Sequence, residues 1–156
     1  MVVSDISKIT EKELSKDKLE ALLEDGFGKS LVGDYFENFS PESIYVIEHD
    51  DKYKAAIILE RTPLGFAYLD KFVVAKQHHG NGIGKEIWSE MAAQEKRIFW
   101  RAKSDNPINK FYASVCDGMQ KANGWNVYWV GLNPNELKNA IDYALAKKNT
   151  LDPVDE

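Results

Sequence analysis

Apolar and polar positions near the start of the chain predict two helices. Leucines within residues 14–23 recur at the spacing of one helical face, and this pattern ends at Gly26. Thr10 and Glu13 stand three residues apart, which is the spacing of a capping box, so the first helix should begin close to them. Residues 31–39 predict a second, shorter helix.

Strand-like apolar runs bounded by turn residues occupy much of the remaining chain. They cover residues 2–9, 44–48, 53–60, 66–75, 97–102 and 125–132. Polar residues 49–52 predict a hairpin connection, and Asp117-Gly118 and Asn123-Gly124 predict turns. Further helices are predicted at residues 84–95, 107–115 and 133–148. This order of elements predicts an α/β fold with a mixed central sheet flanked by helices.

Three patterns locate the later helices more closely. Ile87 and Met91 are spaced to face the core from one helix. Pro107 is expected at or near the first turn of the next helix, where a residue without a backbone N–H is tolerated. The run Asn133-Pro134-Asn135-Glu136 predicts a capped start for the last helix, with Asn as the cap and Glu three residues on.

Composition narrows the classes of function. The 156 residues are 44% hydrophobic and 29% charged, which suits one globular domain. A net charge of -5 without a block of like charges argues against general nucleic-acid binding. No apolar run approaches the roughly 18 residues that span a membrane, and residues 1–10 lack the pattern of a secretory signal. Cys116 is the only cysteine, so the chain forms no internal disulfide and a reducing compartment is expected.

The strongest chemical signal is the loop that follows the longest predicted strand. Gly80, Gly82 and Gly84 allow a sharp turn and a close approach of the backbone to a ligand, and a helix start beyond them offers donors to phosphate. A Walker loop is excluded because Lys85 is followed by Glu86 instead of Ser or Thr. The glycine spacing and the mid-chain position after hairpins also argue against a dinucleotide loop.

Gln77, Gly80 and Gly82 match the pattern Gln/Arg-x-x-Gly-x-Gly/Ala, the pyrophosphate loop of the GCN5-related N-acetyltransferases. Further short motifs occur in the order Phe27-Gly28-Lys29, Tyr68-Leu69-Asp70-Lys71-Phe72, Phe99-Trp100-Arg101, Asn106-Pro107-Ile108-Asn109, Tyr112, Asp117-Gly118 and Trp129-x-Gly131. Together they resemble the acetyltransferase domain of N-acetylglutamate synthases of the vertebrate-like and bifunctional synthase/kinase type, over about residues 19–132. The resemblance implies the fold of that family, with a mostly antiparallel sheet.

The resemblance also implies acetyl-CoA as the acyl donor, and no metal. The residues expected to contact CoA are Phe72, Val73, Val74, Gln77, His78, His79, Gly80, Asn81, Gly82, Ile83 and Gly84. The three strand residues would act through their backbone amides, which are suited to the oxyanion and to pantetheine. The loop identifies CoA but not the acyl group, so succinyl-CoA stays open as a donor.

A glutamate site is implied at Lys29, Lys71, Arg101 and Asn106. The residue types fit a dicarboxylic amino acid, because Arg101 can hold a carboxylate through two parallel hydrogen bonds and Lys71 lies within an apolar strand. Lys103 stands where the family often has a second Arg, and it would supply charge with a different geometry.

Tyr112 resembles the tyrosine that protonates the departing thiolate in this family. A phenol suits that role because it keeps its proton at neutral pH. Phe111 is expected to be the core residue and Tyr112 to face the site, with a core-packed Tyr112 as the alternative. Strand alternation should send Asp70 and Lys71 to opposite faces, which leaves the general base open. Nothing marks Cys116 as a covalent nucleophile.

The resulting expectation is acetyl-CoA:L-glutamate N-acetyltransferase, the first step of arginine biosynthesis. Two alternatives stay open. The acceptor could be another acidic amine, or the chain could be a non-catalytic regulatory domain that binds CoA or an amino acid. We expect one domain at residues 1–148 and a polar tail at 149–156, either excised from a larger protein or free-standing. An amino-acid kinase domain or a second copy are the partners to consider, and neither nucleic acid nor membrane is expected. The expected compartment is the cytoplasm, or the mitochondrial matrix for a eukaryotic chain without its transit peptide.

Overall fold

The computed structural model describes residues 6–27, 36–78 and 82–147. These form two compact units. The first contains the described residues up to Glu60 together with Asp70–Gln94, and the second contains Arg61–Leu69 with the described residues from Glu95 onward. The expected boundary between a domain at 1–148 and a tail stays a prediction, because residues 148–156 lie outside the described part.

The first unit is a sheet with two helices. Its elements are β1 (Ile6–Ile9), α1 (Lys16–Phe27), β2 (Pro41–His49), β3 (Lys52–Glu60), the residues of β4 (Ala67–Val74) from Asp70 onward, and α2 (Ile83–Gln94). The strand order is β1-β2-β3-β4, and β2 is antiparallel to both β1 and β3. Leu19 and Leu23 of α1 belong to the same buried core as Ile58 of β3, so the predicted leucine face is confirmed.

The second unit begins with the first residues of β4. It continues through β5 (Ile98–Lys103), α3 (Asn109–Val115), β6 (Gly118–Ala122), β7 (Trp125–Val130) and α4 (Leu137–Ala146). The strand order is β4-β5-β7-β6: Ala67 and Tyr68 pair in parallel with β5, whereas β7 is antiparallel to both its neighbours. The predicted α/β fold with a mixed, mostly antiparallel sheet is therefore confirmed. Among the described helices, none is long and apolar enough to cross a bilayer.

Most element boundaries agree with the sequence within a few residues, but β6 was not predicted. Its sequence is Gly-Met-Gln-Lys-Ala, without an apolar alternation, and its three central residues are exposed. Among the described strands it pairs with β7 alone and lies at the edge of the sheet, so its side chains need not be apolar. The turn that joins it to β7 was predicted, and positive φ angles of 55° at Asn123 and 82° at Gly124 explain that dipeptide.

The start of α1 differs from the capping-box prediction. The two reciprocal bonds form, from the Thr10 amide to Glu13 Oε1 at 2.9 Å and from the Glu13 amide to Thr10 Oγ1 at 3.3 Å. The backbone amide of Thr10, and to a lesser extent its hydroxyl, lower the pKa of the Glu13 carboxyl. They close a turn that precedes the helix. The hydroxyl of Ser15 caps α1 itself, by accepting a bond of 3.2 Å from the Lys18 amide.

Two other helix predictions can be compared with the described residues. Pro107 lies near the first turn of α3, two residues before the helix begins at Asn109. Of the helix predicted at 31–39, only a short 3₁₀ turn at Phe36–Asn38 belongs to the described residues. The capped start predicted at Asn133 is confirmed, because Glu136 Oε1 accepts a bond of 2.8 Å from the Asn133 amide.

Gly26 does not end α1 as its sequence suggested. It lies within the helix, where a Cβ would collide with Val73 Cγ2 and lie 2.9 Å from the Val74 carbonyl oxygen. Beside it, Asp25 Oδ2 accepts a bond of 2.9 Å from the Lys76 amide. The last turn of α1 therefore braces the end of β4 and the first residue beyond it.

We predict that Gly26→Ala lowers the free energy of unfolding by about 1–2 kcal/mol, measured by urea denaturation. The collision with Val73 and with an immobile backbone oxygen should outweigh the roughly 1 kcal/mol gained in helix propensity. Glu20→Ala, at an exposed position of α1, is the control and should change stability by less than about 0.5 kcal/mol. A stabilised Gly26→Ala variant would show that the close contact is unimportant.

Candidate functional site

The glycine loop has the structural context that the sequence predicted. Strand β4 ends at Val74, a 3₁₀ turn covers Lys76–His78, and α2 begins at Ile83. Gly82 has a φ of 93°, a conformation that side-chain-bearing residues rarely adopt, and its carbonyl accepts the Glu86 amide at 3.1 Å. Of the expected CoA-binding residues, His79, Gly80 and Asn81 lie outside the described residues.

The first turn of α2 lies directly against the end of β4. Ile83 is buried, and a Cβ on Gly84 would stand 3.3 Å from Val74 Cγ2. Gln77 is exposed, with its Nε2 3.4 Å from His78 Nε2. Amides in the first turn of a helix have no partner within that helix and carry its positive dipole end, so the donor set fits a pyrophosphate.

The three β4 residues expected to bind CoA have packed side chains. The ring of Phe72 lies 5.3 Å from that of Trp88, and Val73 belongs to the hydrophobic core of the first unit. Val74 is half-buried against α1 and the start of α2. Contacts from these residues to a ligand would therefore come from their backbone, as expected.

Lys71 is buried at 7% exposure, and its Nζ lies 3.5 Å from Oδ1 of Asp70, whose side chain is 10% exposed. Strand alternation, which directs neighbouring side chains to opposite faces, therefore does not keep these two charged groups apart. The four-carbon stem of lysine lets the ammonium group reach its neighbour despite strand alternation. The pair places a fixed cation on β4, whereas Lys29, its expected companion, lies outside the described residues.

Arg101 is held on the α4 face of the second unit. Its Nη1 donates a bond of 3.0 Å to the Ala144 carbonyl, and its guanidinium carbon lies 3.8 Å from the centre of the Trp125 ring. Lys103 Nζ lies 4.7 Å from the same ring. The structure therefore brings Arg101 and Lys103 together, with Trp125 as a shared aromatic support.

Asn106 is exposed, and its amide has a fixed orientation. Its Oδ1 accepts a bond of 3.0 Å from the Ile108 amide, and its backbone N–H donates to the Lys103 carbonyl at 3.0 Å. Because the Ile108 backbone N–H can only donate, the side-chain oxygen of Asn106 must be the atom that faces it. The NH₂ group is then presented outward, which is the orientation that a carboxylate ligand requires.

Tyr112 is 6% exposed and packs among aromatic rings. Ring centres of Trp100 and Tyr128 lie 5.3 Å and 5.4 Å away. The expectation that Phe111 would be the core residue was wrong: Phe111 is half-buried and Tyr112 is the buried one. Burial raises the pKa of the Tyr112 phenol, and Tyr128 adds to the shift. Because Trp100 and Arg101 are adjacent on β5, Tyr112 and Arg101 lie on opposite faces of that strand.

Two of the sequence motifs turn out to be one structural unit. A Cβ on Gly118 would lie 2.6 Å from the ring of Trp129, and the Asp117 amide donates to the Trp129 carbonyl at 2.8 Å. Asp117 Oδ2 accepts a bond of 2.7 Å from the Gly131 amide, and Gly131 has a φ of 73°. These motifs hold β7 and carry no evident chemistry.

Sequence reasoning missed Asp25, Asn109, Asn126 and Tyr128 as polar residues that hold the candidate site. Each is an ordinary polar or aromatic residue in its local sequence, and only tertiary hydrogen bonds reveal it. Among the described residues, no three His, Cys, Asp or Glu side chains gather as a metal site would require.

Comparison with known proteins decides the family. The model of the family "NAT, N-acetyltransferase, of N-acetylglutamate synthase" matches residues 6–147. The chain belongs to this family. It is 36% identical over 144 residues to a protein named acetylglutamate kinase from Xanthomonas campestris, which covers 89% of this chain and 33% of that protein. It is 39% identical over 123 residues to the mitochondrial N-acetylglutamate synthase of Mus musculus, covering 76% of this chain and 23% of that protein.

The chain thus spans a third or less of the length of these curated relatives of the NAT family. Solved structures agree on the fold. The ribosomal-protein-S18-alanine N-acetyltransferase of Escherichia coli superposes with a TM-score of 0.64 at 13% identity, covering 83% of this chain and 96% of the other. The resemblance inferred from the motifs, and the fold it implied, are both confirmed.

We predict that Tyr112 contributes to the alkaline loss of stability. In the unfolded chain its phenol ionises near pH 10, whereas the folded chain holds the proton to higher pH. Proton release then favours the unfolded state, so the free energy of unfolding falls as pH rises above about 10. Urea denaturation should show that the free energy of unfolding of the wild type, relative to that of Tyr112→Phe, falls from about pH 8 to about pH 10.5. An unchanged difference would contradict the raised pKa.

Proposed function

We propose that this chain transfers the acetyl group of acetyl-CoA to the amino group of glutamate, the reaction that begins arginine biosynthesis. The observation that carries the proposal is the NAT family match over residues 6–147. A relative named N-acetylglutamate synthase supports glutamate as the acceptor.

For the donor, we assign CoA to the end of β4 and the start of α2. Gln77, the glycine loop and the first-turn amides of α2 would hold the pyrophosphate, since they offer donors and the positive end of a helix dipole. Backbone amides of residues 72–74 would contact pantetheine and the thioester oxygen, because their side chains are already packed.

For the acceptor, we assign the carboxylates of glutamate to Lys29, Lys71, Arg101 and Asn106. Asn106 has the best structural support, because its NH₂ group is already turned outward. Lys71 supplies a buried cation whose position is set by Asp70. Arg101 has less structural support than Asn106, because it is engaged with Trp125 and the Ala144 carbonyl on the face of β5 opposite to Tyr112.

The proposed chemistry is a direct transfer. The deprotonated amine adds its lone pair to the thioester carbonyl carbon, and the carbonyl oxygen becomes an oxyanion stabilised by β4 amides. Collapse breaks the carbon–sulfur bond, and the nitrogen loses its extra proton to water. Tyr112 gives its phenolic proton to the departing thiolate, and solvent restores that proton. The products are N-acetylglutamate and free CoA.

The setting of this activity is part of the same proposal. A relative is named acetylglutamate kinase and is about three times longer than the matched segment, which supports an association with an amino-acid kinase domain. We place the chain in the cytoplasm, or in the mitochondrial matrix if it comes from a eukaryote. Both placements suit a chain with one free cysteine.

We predict thiol release when the chain is mixed with acetyl-CoA and glutamate, and slower release with succinyl-CoA or aspartate. Lys71→Met should raise KM for glutamate about tenfold or more, because a charge contact to a carboxylate is lost and the stem is kept. Lys52→Met, at an exposed end of β3, is the matched control and should leave both KM values unchanged.

Three results would count against this assignment. Absence of thiol release with both donors and several acidic amines would sink the enzyme proposal. An unchanged KM for glutamate in Lys71→Met would remove Lys71 from the acceptor site. Arg101→Lys keeps the charge but loses the planar fork, so an unchanged KM in that variant would exclude a bidentate contact.

We predict that Tyr112→Phe lowers kcat about a hundredfold and changes both KM values by less than about threefold. The ring and its packing on Trp100 and Tyr128 remain, so only the proton donor is lost. Tyr45→Phe, which removes the hydroxyl of another buried tyrosine, is the control. Full turnover in Tyr112→Phe would show that water alone protonates the thiolate.

A further inference from the structure

A chain of side-chain hydrogen bonds runs through the second unit beside Tyr112. Asn126 Nδ2 donates to the Tyr128 hydroxyl at 3.2 Å, and that hydroxyl donates to Asn109 Oδ1 at 2.9 Å. Asn109 Nδ2 then donates to the Lys103 carbonyl at 2.8 Å. Tyr128 and Asn126 are buried, the latter at 4% exposure, so the bond between them forms away from solvent, whereas the two bonds made by Asn109 are partly buried.

The direction of the whole chain is fixed by its last acceptor. A carbonyl can only accept, so Asn109 must turn its NH₂ group toward Lys103 and its oxygen toward Tyr128. The Tyr128 hydroxyl has one proton, and it donates this proton in a hydrogen bond to Asn109 Oδ1. Asn126 must then present its NH₂ group to that hydroxyl, and its buried Oδ1 has no hydrogen-bond partner among the described residues.

The Oδ1 of Asn126 thus lacks a protein partner among the described residues. A buried polar atom without a partner destabilises a fold, and an apolar residue at position 126 would avoid it. The consequence of keeping Asn126 is that the Tyr128 hydroxyl receives a bond and becomes a better-oriented donor to Asn109.

The segment held in this way is the loop between β5 and α3, which carries Asn106. Its backbone closes on itself, because the Lys103 carbonyl accepts from the Asn106 amide and the Asn106 carbonyl accepts from the Asn109 amide, both at 3.0 Å. Ser104, the first residue of the loop, is anchored by a hydrogen bond of 3.0 Å from its amide to the Gly124 carbonyl. The Tyr128 hydroxyl anchors the other end, at Asn109.

We propose that Tyr128 is a positioning residue for acetyl transfer, whose hydroxyl holds Asn109 and thereby fixes the loop that presents the Asn106 amide to a carboxylate of the amino-acid substrate. This inference rests on the proposed function for its kinetic consequence. Its structural part, the restraint of the loop, can be measured without any substrate.

Tyr128→Phe tests the proposal, because it removes the hydroxyl and keeps the ring that packs on Trp100 and Tyr112. KM for glutamate should rise about five- to tenfold, the usual effect of one misplaced hydrogen bond. KM for acetyl-CoA should change less than about twofold, since the loop is assigned only to the acceptor. Asn109→Ala cuts the same bond from the loop side and should give the same pattern, which keeps the test available if Tyr128→Phe does not fold.

A double-mutant cycle shows whether Tyr128 acts through Asn106. In an Asn106→Ala background the effect of Tyr128→Phe on KM for glutamate should disappear, because the positioned amide is already gone. Tyr53→Phe is the matched control: it also removes a buried hydroxyl, one that accepts the Ser15 amide at 3.0 Å in the first unit. That control should leave KM for glutamate unchanged.

Amide hydrogen exchange supplies the readout that is independent of activity. In Tyr128→Phe, the amides of Asn106 and Asn109 should exchange about tenfold faster, whereas amides in the β5–β7 ladder should keep their rates. If the wild type does not acetylate glutamate, the proposed function fails, and the amide exchange rates alone then test whether Tyr128 restrains the loop. Unchanged loop exchange, an unchanged KM for glutamate in an active enzyme, or additive effects in the cycle would each overturn it.

Discussion

The close approach of α1 to the end of β4 is the constraint on which the donor half of the candidate site depends. Gly26 has no side chain, so the helix can touch Val73 and the Val74 carbonyl directly. That contact brings Asp25 to the Lys76 amide, where the chain leaves the strand. The same strand end meets the first turn of α2 at Gly84. Two small residues thus let two helices pack on one strand end, and the glycine loop starts from a backbone held on both sides.

Local patterns predicted the features of the fold that local forces determine. The leucine face of α1, the core face of α2 at Ile87 and Met91, and the capped start at Asn133 were all correct, because periodicity and capping act within a few residues. Strand β6 was missed because an edge strand needs no apolar alternation. Gly26 was misinterpreted because a glycine that ends a helix and one that permits close packing look the same in sequence.

The candidate site was predicted less completely than the fold, and the reasons differ by residue. The strand, loop and helix around the glycines followed from spacing, since a phosphate loop requires that context. The contact between Asp70 and Lys71 depends on how a long side chain bends, which strand alternation does not describe. Tyr112 is buried in place of Phe111 because Trp100 and Tyr128, both distant in sequence, form the pocket that receives it.

Burial of Tyr112 also bears on the timing of the proposed proton transfer. A raised pKa keeps the phenol protonated in the resting protein, yet it makes the proton harder to give to a thiolate, because a thiol is ordinarily a stronger acid than a phenol (about 8.5 for a cysteine thiol against about 10 for tyrosine). Such a weak acid can first donate a hydrogen bond to the sulfur as negative charge develops. Full transfer then comes late, when the carbon–sulfur bond is largely broken and the sulfur is most basic. The aromatic packing around Tyr112 therefore favours a role in stabilising the leaving group, with protonation as the final step.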